Sequence, residues 1–170
     1  MREDSSMQIS IIAASNHNNL NLAKAFQEEF EGLNASSHII NLVEEDLPLY
    51  DPNKNQEDLP QSFSTLVKNL KEAQAFVFLA PEYNGGPPPT LTNLLAWISV
   101  STKDWRECFN EKPAIIGSHS GGGGSHVLMA MRLQLSFIGL NVLGRQIMVN
   151  SSRPLNTDSL KAVVKQIIKL

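Results

Sequence analysis

The segment 80–89, Ala-Pro-Glu-Tyr-Asn-Gly-Gly-Pro-Pro-Pro, combines polar side chains with a restricted backbone. Its two adjacent glycines permit positive φ and let a ligand approach the backbone closely. Its three prolines have fixed φ and no N–H group to satisfy, which stiffens the segment. Because Glu82, Tyr83 and Asn84 stand on this stiff support, we predict that the segment, hereafter the proline loop, is a preformed platform for a ligand.

Two further segments have the composition of ligand-binding loops. The asparagine loop, residues 15–21, reads Ser-Asn-His-Asn-Asn-Leu-Asn, and the glycine loop, residues 117–126, reads Gly-Ser-His-Ser-Gly-Gly-Gly-Gly-Ser-His. Small polar residues at the start of a helix leave backbone N–H groups free for a phosphate. The same residues are good helix caps without any ligand. Consecutive glycines allow close approach of a flat ring or a phosphate.

Other chemistries fit the glycine loop less well. His119 and His126 are seven residues apart and have no carboxylate or cysteine at the spacing of a metal site, so we expect no metal there. No Gly-Lys-Ser/Thr follows the glycines, and no Gly-x-Ser-x-Gly elbow marks a hydrolase. No acid–base pair stands out either, and we predict that no side chain is the catalyst.

The apolar patterns of the sequence predict the strands and helices that position these three loops. Strand patterns cover residues 7–14, 38–41, 75–80, 113–118 and 142–149, with helical stripes between and after them. This alternation predicts a three-layer α/β fold: a five-stranded parallel sheet in the order 2-1-3-4-5 with helices on both faces. In that order the loops after strands 1, 3 and 4 converge at the switch point of the sheet. These are the asparagine, proline and glycine loops.

The composition restricts the class of protein. A chain of 170 residues, 42% of them hydrophobic, is the size of one domain, and we assign residues 1–170 to a single domain. The net charge of −3 without a basic run argues against nucleic acid or an anionic membrane as partner. Short apolar stretches, a polar N-terminus and a single cysteine, Cys108, predict a cytoplasmic protein. The acidic connection 43–60 is predicted to be a surface excursion.

The proline loop also carries a family resemblance. Pro81-Glu82-Tyr83-Asn84-Gly85, followed by prolines and a helix with Trp97, resembles the NAD(P)H-dependent FMN reductase family. That family includes quinone, azo and chromate reductases of flavodoxin-like fold. The resemblance covers most of the chain and continues in Asp104-Trp105-Arg106, in the glycine loop and in Arg132-Leu133-Gln134-Leu135.

The resemblance implies that three groups of residues border bound FMN. Beside the phosphate it places Ser15, His17, Asn19 and Asn21. Against the isoalloxazine ring it places Pro81, Glu82, Tyr83, Asn84 and Gly85. Over the other edge of the ring it places Ser118, His119, Ser120 and Gly121. In the asparagine loop the chain departs from the family pattern, because His17 stands in place of an Arg, a second Ser is missing, and Asn21 matches only after a one-residue deletion.

The resemblance also implies an activity. An FMN-dependent NAD(P)H oxidoreductase passes hydride from a nicotinamide to FMN, and then to a quinone-like, flavin or other small electron acceptor. The alternative is a flavodoxin-type FMN electron carrier that NAD(P)H does not reduce directly, although such carriers are usually much more acidic. A third possibility is a scaffold whose altered asparagine loop has lost FMN. The sequence leaves the choice between NADH and NADPH open.

A homodimer or homotetramer is implied as well. The helix after the proline loop carries Leu94, Leu95, Trp97 and Ile98, which is more apolar surface than one sheet face would bury. The sequence leaves open whether Trp97 is a core residue or a dimer contact.

Overall fold

The computed structural model describes residues 7–53 and 59–170. Its strands are β1 (Gln8–Ala13), β2 (Ser36–Asn41), β3 (Ala75–Leu79), β4 (Pro113–His119), β5 (Asn141–Val142) and β6 (Ile147–Val149). Its α-helices are α1 (Asn18–Glu31), α2 (Ser62–Glu72), α3 (Pro89–Ser101), α4 (Ser125–Phe137) and α5 (Thr157–Ile168), and a 3-10 turn spans Trp105–Cys108. None of the helices in the described ranges combines the length and the hydrophobicity that a membrane span requires.

The strands form one parallel sheet in the predicted order. The order is β2-β1-β3-β4-β5, and β6 also pairs with β4. The predicted fifth strand, 142–149, is wrong as a single strand, because it consists of β5 and β6 separated by residues 143–146. There Gly144, Arg145 and Gln146 are exposed and leave the ladder, while Arg132 of α4 binds the Val142 and Gly144 carbonyl oxygens.

Both faces of the sheet are covered, as the alternation predicts. Helices α2, α3 and α4 pack on one face and α1 and α5 on the other, with separate apolar clusters beneath them. Strand β1 contributes to both clusters, since Ile11 points towards α1 and α5 whereas Ile12 points the other way. The alternating direction of strand side chains explains this division. The three-layer flavodoxin-like fold is confirmed.

The apolar residues of α3 lie in the core. Leu94, Leu95, Trp97 and Ile98 are all at most 7% exposed. The Trp97 Nε1–H donates to the Pro48 carbonyl oxygen at 2.7 Å, and the Tyr50 ring contacts the indole edge-on with centroids 5.1 Å apart. Residues 48–50 of the connection after β2 therefore lie against α3 and cover the Trp97 surface that the sequence suggested for self-association. Trp97 is a core residue and not a dimer contact.

His38 on β2 makes the stability of the fold depend on pH. Its Nε2 lies 3.1 Å from the Oγ of the fully buried Ser10, and burial lowers the pKa of His38 from 6.5. The unfolded chain therefore binds a proton at a pH where the folded chain does not. The part of the stability that is linked to neutral His38 is therefore expected to be fully present well above pH 6.5 and to fall as the pH drops below that value.

We expect a His38→Gln variant to lose less stability than the wild-type protein between pH 7.5 and pH 5.5. Glutamine preserves a polar partner for Ser10 but takes up no proton. Urea unfolding at the two pH values measures the difference. Equal losses in both proteins would show that His38 does not carry this dependence.

Candidate functional site

Four hydrogen bonds connect the asparagine, proline and glycine loops, or residues directly beside them, at the carboxyl edge of the sheet. The Thr90 hydroxyl at the start of α3 donates to the Ala14 carbonyl oxygen at 2.6 Å. The Asn19 side chain bonds both backbone groups of His119. The Glu82 N–H donates to the Ser120 Oγ at 2.7 Å. The structure thus brings together the three loops that the strand order predicts to converge.

The asparagine loop presents a run of free backbone donors. The N–H groups of residues 15–20 find no acceptor among the described residues, and the first engaged amide is that of Asn21, which donates to the His17 carbonyl oxygen at 2.8 Å. Residues 16–18 are exposed. Unpaired amides at the amino end of a helix, together with its dipole, form an anion site.

His17, which lies within this run and directly before α1, has a strained backbone. Its φ of 59° and ψ of −108° fall in a region that is usually occupied by glycine. Such a conformation costs about 1–3 kcal/mol and persists only where the surroundings impose it. The His17 side chain is exposed at the amino end of α1.

Asn19 is a bridge between two loops. Its side chain is 1% exposed, donates to Ser15 Oγ at 3.2 Å and to the His119 carbonyl oxygen at 3.0 Å, and accepts from the His119 N–H at 2.9 Å. Both Nδ2 hydrogens and the Oδ1 atom of Asn19 are therefore engaged, within the asparagine loop through Ser15 and across to the glycine loop through His119. Asn21 lies on the exposed side of α1 and lines a cleft beside α5.

The proline loop contains a tight turn at Asn84 and Gly85. Tyr83 and Gly86 exchange two backbone hydrogen bonds of 2.9 Å each, and the residues between them have φ of 50° and 77°. Two central residues with positive φ characterise a type I′ turn, which favours Asn-Gly. The N–H groups of Asn84 and Gly85 have no acceptor among the described residues, and Tyr83 is 53% exposed. The turn is a platform with two free donors.

Glu82 holds the proline loop on α4. Its carboxylate accepts the N–H groups of His126 and Val127 at 3.1 and 3.3 Å and lies 3.5 Å from the His126 ring. The Glu82 side chain is only 17% exposed. A carboxylate on the first-turn amides of a helix is favoured by the helix dipole. Glu82 therefore caps α4 from the neighbouring loop.

The residues of the glycine loop lie in three environments: buried serines, a histidine in the cleft beside α5, and exposed glycines. The buried Ser118 and Ser120 hydroxyls lie 2.7 Å apart. His119 is on the opposite face of β4, the face of α1 and α5, and lines the same cleft as Asn21. Gly121 and Gly122 are exposed, and nothing lies within 4 Å of the place a Cβ would occupy. The open part of the loop is thus residues 121–123.

Gly124, the residue before α4, is expected to tolerate no side chain without loss of stability. Its φ is +70°, and a Cβ there would lie 3.4 Å from Ser118 Oγ and 3.5 Å from Met148 Cγ. Gly124→Ala should therefore lower the free energy of unfolding by about 1–2 kcal/mol. Gly122→Ala is the matched control and should change it by less than about 0.5 kcal/mol. Urea unfolding compares them, and equal effects would contradict the conformation assigned to Gly124.

Sequence reasoning missed two residues that fix the asparagine loop. Asn41 at the end of β2 donates to Asn16 Oδ1 at 2.9 Å and to a Glu44 carboxylate oxygen at 2.8 Å. Thr90 anchors the Ala14 carbonyl. A polar residue at the carboxyl end of a strand beside the switch point was the available signal for Asn41. No local pattern singled out Thr90.

Comparison with known proteins decides the family. The sequence profile of the NADPH-dependent FMN reductase family matches residues 7–153. The chain belongs to this family. It is 29% identical over 131 residues to an NADPH azoreductase of Bacillus sp., covering 76% of this chain and 67% of that protein. It is 30% identical over 103 residues to a quinone reductase of Escherichia coli, covering 59% of this chain and only 53% of that protein.

Solved structures agree on the fold. A flavoenzyme NAD(P)H:acceptor oxidoreductase from Paracoccus denitrificans superposes with a TM-score of 0.75 at 19% identity, covering 96% of both chains. A WrbA-like flavodoxin from Agrobacterium tumefaciens gives a TM-score of 0.61 at 17% identity, covering 97% of this chain and 94% of the other. As a member of the family, the chain is an NAD(P)H-dependent oxidoreductase with FMN as cofactor.

The residues present fit FMN. FMN offers acceptor atoms at both ends, in its phosphate and along the N5 and O4 edge of its ring, and the site offers free N–H donors at two places, the asparagine loop and the Asn84–Gly85 turn. Glu82 is the one acidic or basic residue of the three loops besides their histidines, and its carboxylate is committed to α4. The groups whose pKa burial shifts, upward for Cys108 and downward for His38 and Lys112, lie outside the loops.

Proposed function

We propose that the three loops hold FMN and that the protein passes electrons from NAD(P)H to a quinone-like, flavin or other small electron acceptor. This proposal rests on two groups of backbone N–H donors without an acceptor among the described residues, one on the asparagine loop and one on the Asn84–Gly85 turn. The amides of residues 15–20 would hold the phosphate, with Ser15 and His17 beside it. Asn19 supports this end by fastening the loop to β4.

The ring end is built by the proline and glycine loops. The Asn84 and Gly85 amides would donate to the N5 and O4 edge of the ring, and Pro81 and Tyr83 would form the wall next to it. Glu82 bonds Ser120 and His126 of the glycine loop, Ser118 supports Ser120 from within that loop, and Gly121 leaves the other edge open. When bound, FMN supplies the hydride and electron transfer, so the protein needs to provide binding, orientation and hydrogen bonds.

The acceptor is expected to be flat and uncharged. Exposed Tyr83 and the open backbone of residues 121–123 flank the ring end, and neither carries a charge. Relatives named as an azoreductase and quinone reductases support acceptors of this shape.

Anaerobic mixing of the FMN-loaded protein with NADH or NADPH tests the activity. We expect the visible flavin absorbance to bleach faster than that of free FMN under the same conditions, and to return when a benzoquinone is added. Bound FMN that neither nicotinamide reduces faster than free FMN would contradict the enzyme and favour the electron carrier.

We also propose that the protein is a homo-oligomer that pairs through α4. Met129, Leu133 and Phe137 recur every four residues on this helix and are 70–76% exposed. An apolar groove of about 600 Å³ runs beside them, lined mainly by Pro87, Ala130, Leu133 and Phe137. A stripe next to a groove of like chemistry is self-complementary across a two-fold axis, as dimers require.

Leu133→Glu is expected to shift the protein to monomer in sedimentation velocity at micromolar concentration, because it places a charge in the centre of the contact. Leu49→Glu is the control, since Leu49 is 75% exposed but lies on the connection after β2. A monomeric wild-type protein would contradict the proposal.

Two further proposals concern the whole chain. Residues 1–170 act as one FMN-binding domain, which is supported by the family match over residues 7–153 and by one sheet carrying all strands of the described ranges. A cytoplasmic location is supported by the dependence of the family on NAD(P)H, a reductant that cells generate internally. Localisation of a tagged protein in fractionated cells tests the second point.

A further inference from the structure

A cleft of about 430 Å³ lies beside the FMN loops, and its lining includes Asn18 of the asparagine loop and His119 of the glycine loop. It runs between the start of α1 and the segment 149–155 that leads from β6 to α5. Its volume is within the range of small-molecule sites. It borders the glycine loop, because Asn150 of its rim donates to the Gly122 carbonyl oxygen at 3.1 Å.

The cleft combines an apolar floor with free polar groups. The buried Leu22 and Val149 form the floor together with the half-buried Leu155. The side chains of Asn18, Asn21, Ser151 and His119 line it, and none of them has a hydrogen-bond partner among the described residues. No Asp, Glu, Lys or Arg lines the cleft.

These groups match the chemistry of an adenosine. A carboxamide such as that of Asn18 or Asn21 can bond the N6 and N7 edge of adenine in a bidentate manner. An imidazole ring such as that of His119 offers a flat face on which a base can stack. A serine hydroxyl such as that of Ser151 can bond ribose oxygens. An uncharged rim suits a nucleoside better than a free phosphate or carboxylate.

We propose that this cleft binds the adenosine half of the nicotinamide dinucleotide while the nicotinamide meets the ring end of the FMN site. The inference rests on the proposed function and adds to it the place where the reductant is anchored. It also assigns Asn21 to the reductant instead of the FMN phosphate, in keeping with the position of this residue on the exposed side of α1.

Ser151→Trp fills the cleft without removing a hydrogen bond, since Ser151 is exposed and has no partner among the described residues. Thr65→Trp, on an exposed position of α2 across the sheet, is the matched control. The probe is ADP-ribose, titrated calorimetrically into the FMN-loaded protein. We expect ADP-ribose to bind the wild-type protein and the control, and Ser151→Trp to weaken it by about tenfold or more.

Steady-state kinetics give a second readout. Ser151→Trp should raise KM for NADH and NADPH by about tenfold with kcat unchanged, and should leave kcat/KM for reduced nicotinamide mononucleotide unchanged because that donor lacks the adenosine. Asn21→Ala should weaken ADP-ribose and leave the FMN dissociation constant as it is.

The outcomes separate the two proposals. A wild-type protein that does not bind FMN would contradict the proposed function. FMN binding with no ADP-ribose binding, or with ADP-ribose affinity unaffected by Ser151→Trp, would overturn the adenosine site alone. Weaker FMN binding in Asn21→Ala would return that residue to the phosphate site.

Discussion

Replacing Asn19 with leucine is expected to lower the free energy of unfolding by about 2–4 kcal/mol and to weaken FMN binding by more than about tenfold. Leucine has a similar size but leaves the His119 N–H and C=O groups without their partners in a site that is nearly closed to water. Each such loss costs about 1–3 kcal/mol. The asparagine loop also loses its tie to β4, so its amides are no longer held in one arrangement for the phosphate.

Urea unfolding and quenching of FMN fluorescence measure the two effects. Asn21→Leu is the matched control for stability, because Asn21 is exposed on the same helix and its side chain has no hydrogen-bond partner among the described residues. That variant should unfold within about 0.5 kcal/mol of the wild-type protein. An Asn19→Leu protein as stable as Asn21→Leu would contradict the bridge assigned to Asn19.

Replacing Glu82 with alanine is expected to lower the free energy of unfolding by about 2 kcal/mol and FMN affinity by about tenfold. The substitution leaves the His126 and Val127 N–H groups without the carboxylate that caps α4. It also releases the proline loop from α4, so the Asn84–Gly85 turn loses its fixed position.

Glu82→Gln separates positioning from charge. A glutamine oxygen can still accept an N–H at the start of α4, so we expect this variant to recover most of the FMN affinity and part of the stability. Thermal unfolding and FMN titration of the three proteins give the comparison. FMN affinity that is equal in Glu82→Ala and the wild-type protein would mean that Glu82 does not position the ring wall.

The architecture could be predicted from the sequence because it depends on patterns that are local. Five apolar strands alternating with helical stripes determine a parallel sheet, and the strand order follows from the fold class. The prediction of a single fifth strand was wrong because apolar residues lie on both sides of 143–146, so the sequence reads as one continuous strand although the strand is interrupted there. Arg132 stabilises that interruption from α4, far away in the sequence.

The site could be predicted at the level of loops but not of every side chain. Loop composition singled out three candidate segments, and the strand order predicted that they converge, as they do in the structure. The directions of Glu82, Asn19 and His119 depend on partners in other elements, so their local sequence gives no account of them. The burial of Trp97 on α3 could not be predicted for the same reason, because residues 48–50, which cover it, come from another part of the chain.

Titration of FMN into the purified protein, followed by quenching of flavin fluorescence, tests the central claim most directly. We predict one FMN per chain with a dissociation constant in the micromolar range or below, and clearly weaker binding of riboflavin, because riboflavin lacks the phosphate that the free amides of the asparagine loop bind. Equal affinity for the two flavins would contradict the phosphate site. A folded protein that quenches neither flavin at micromolar concentration would contradict the whole account.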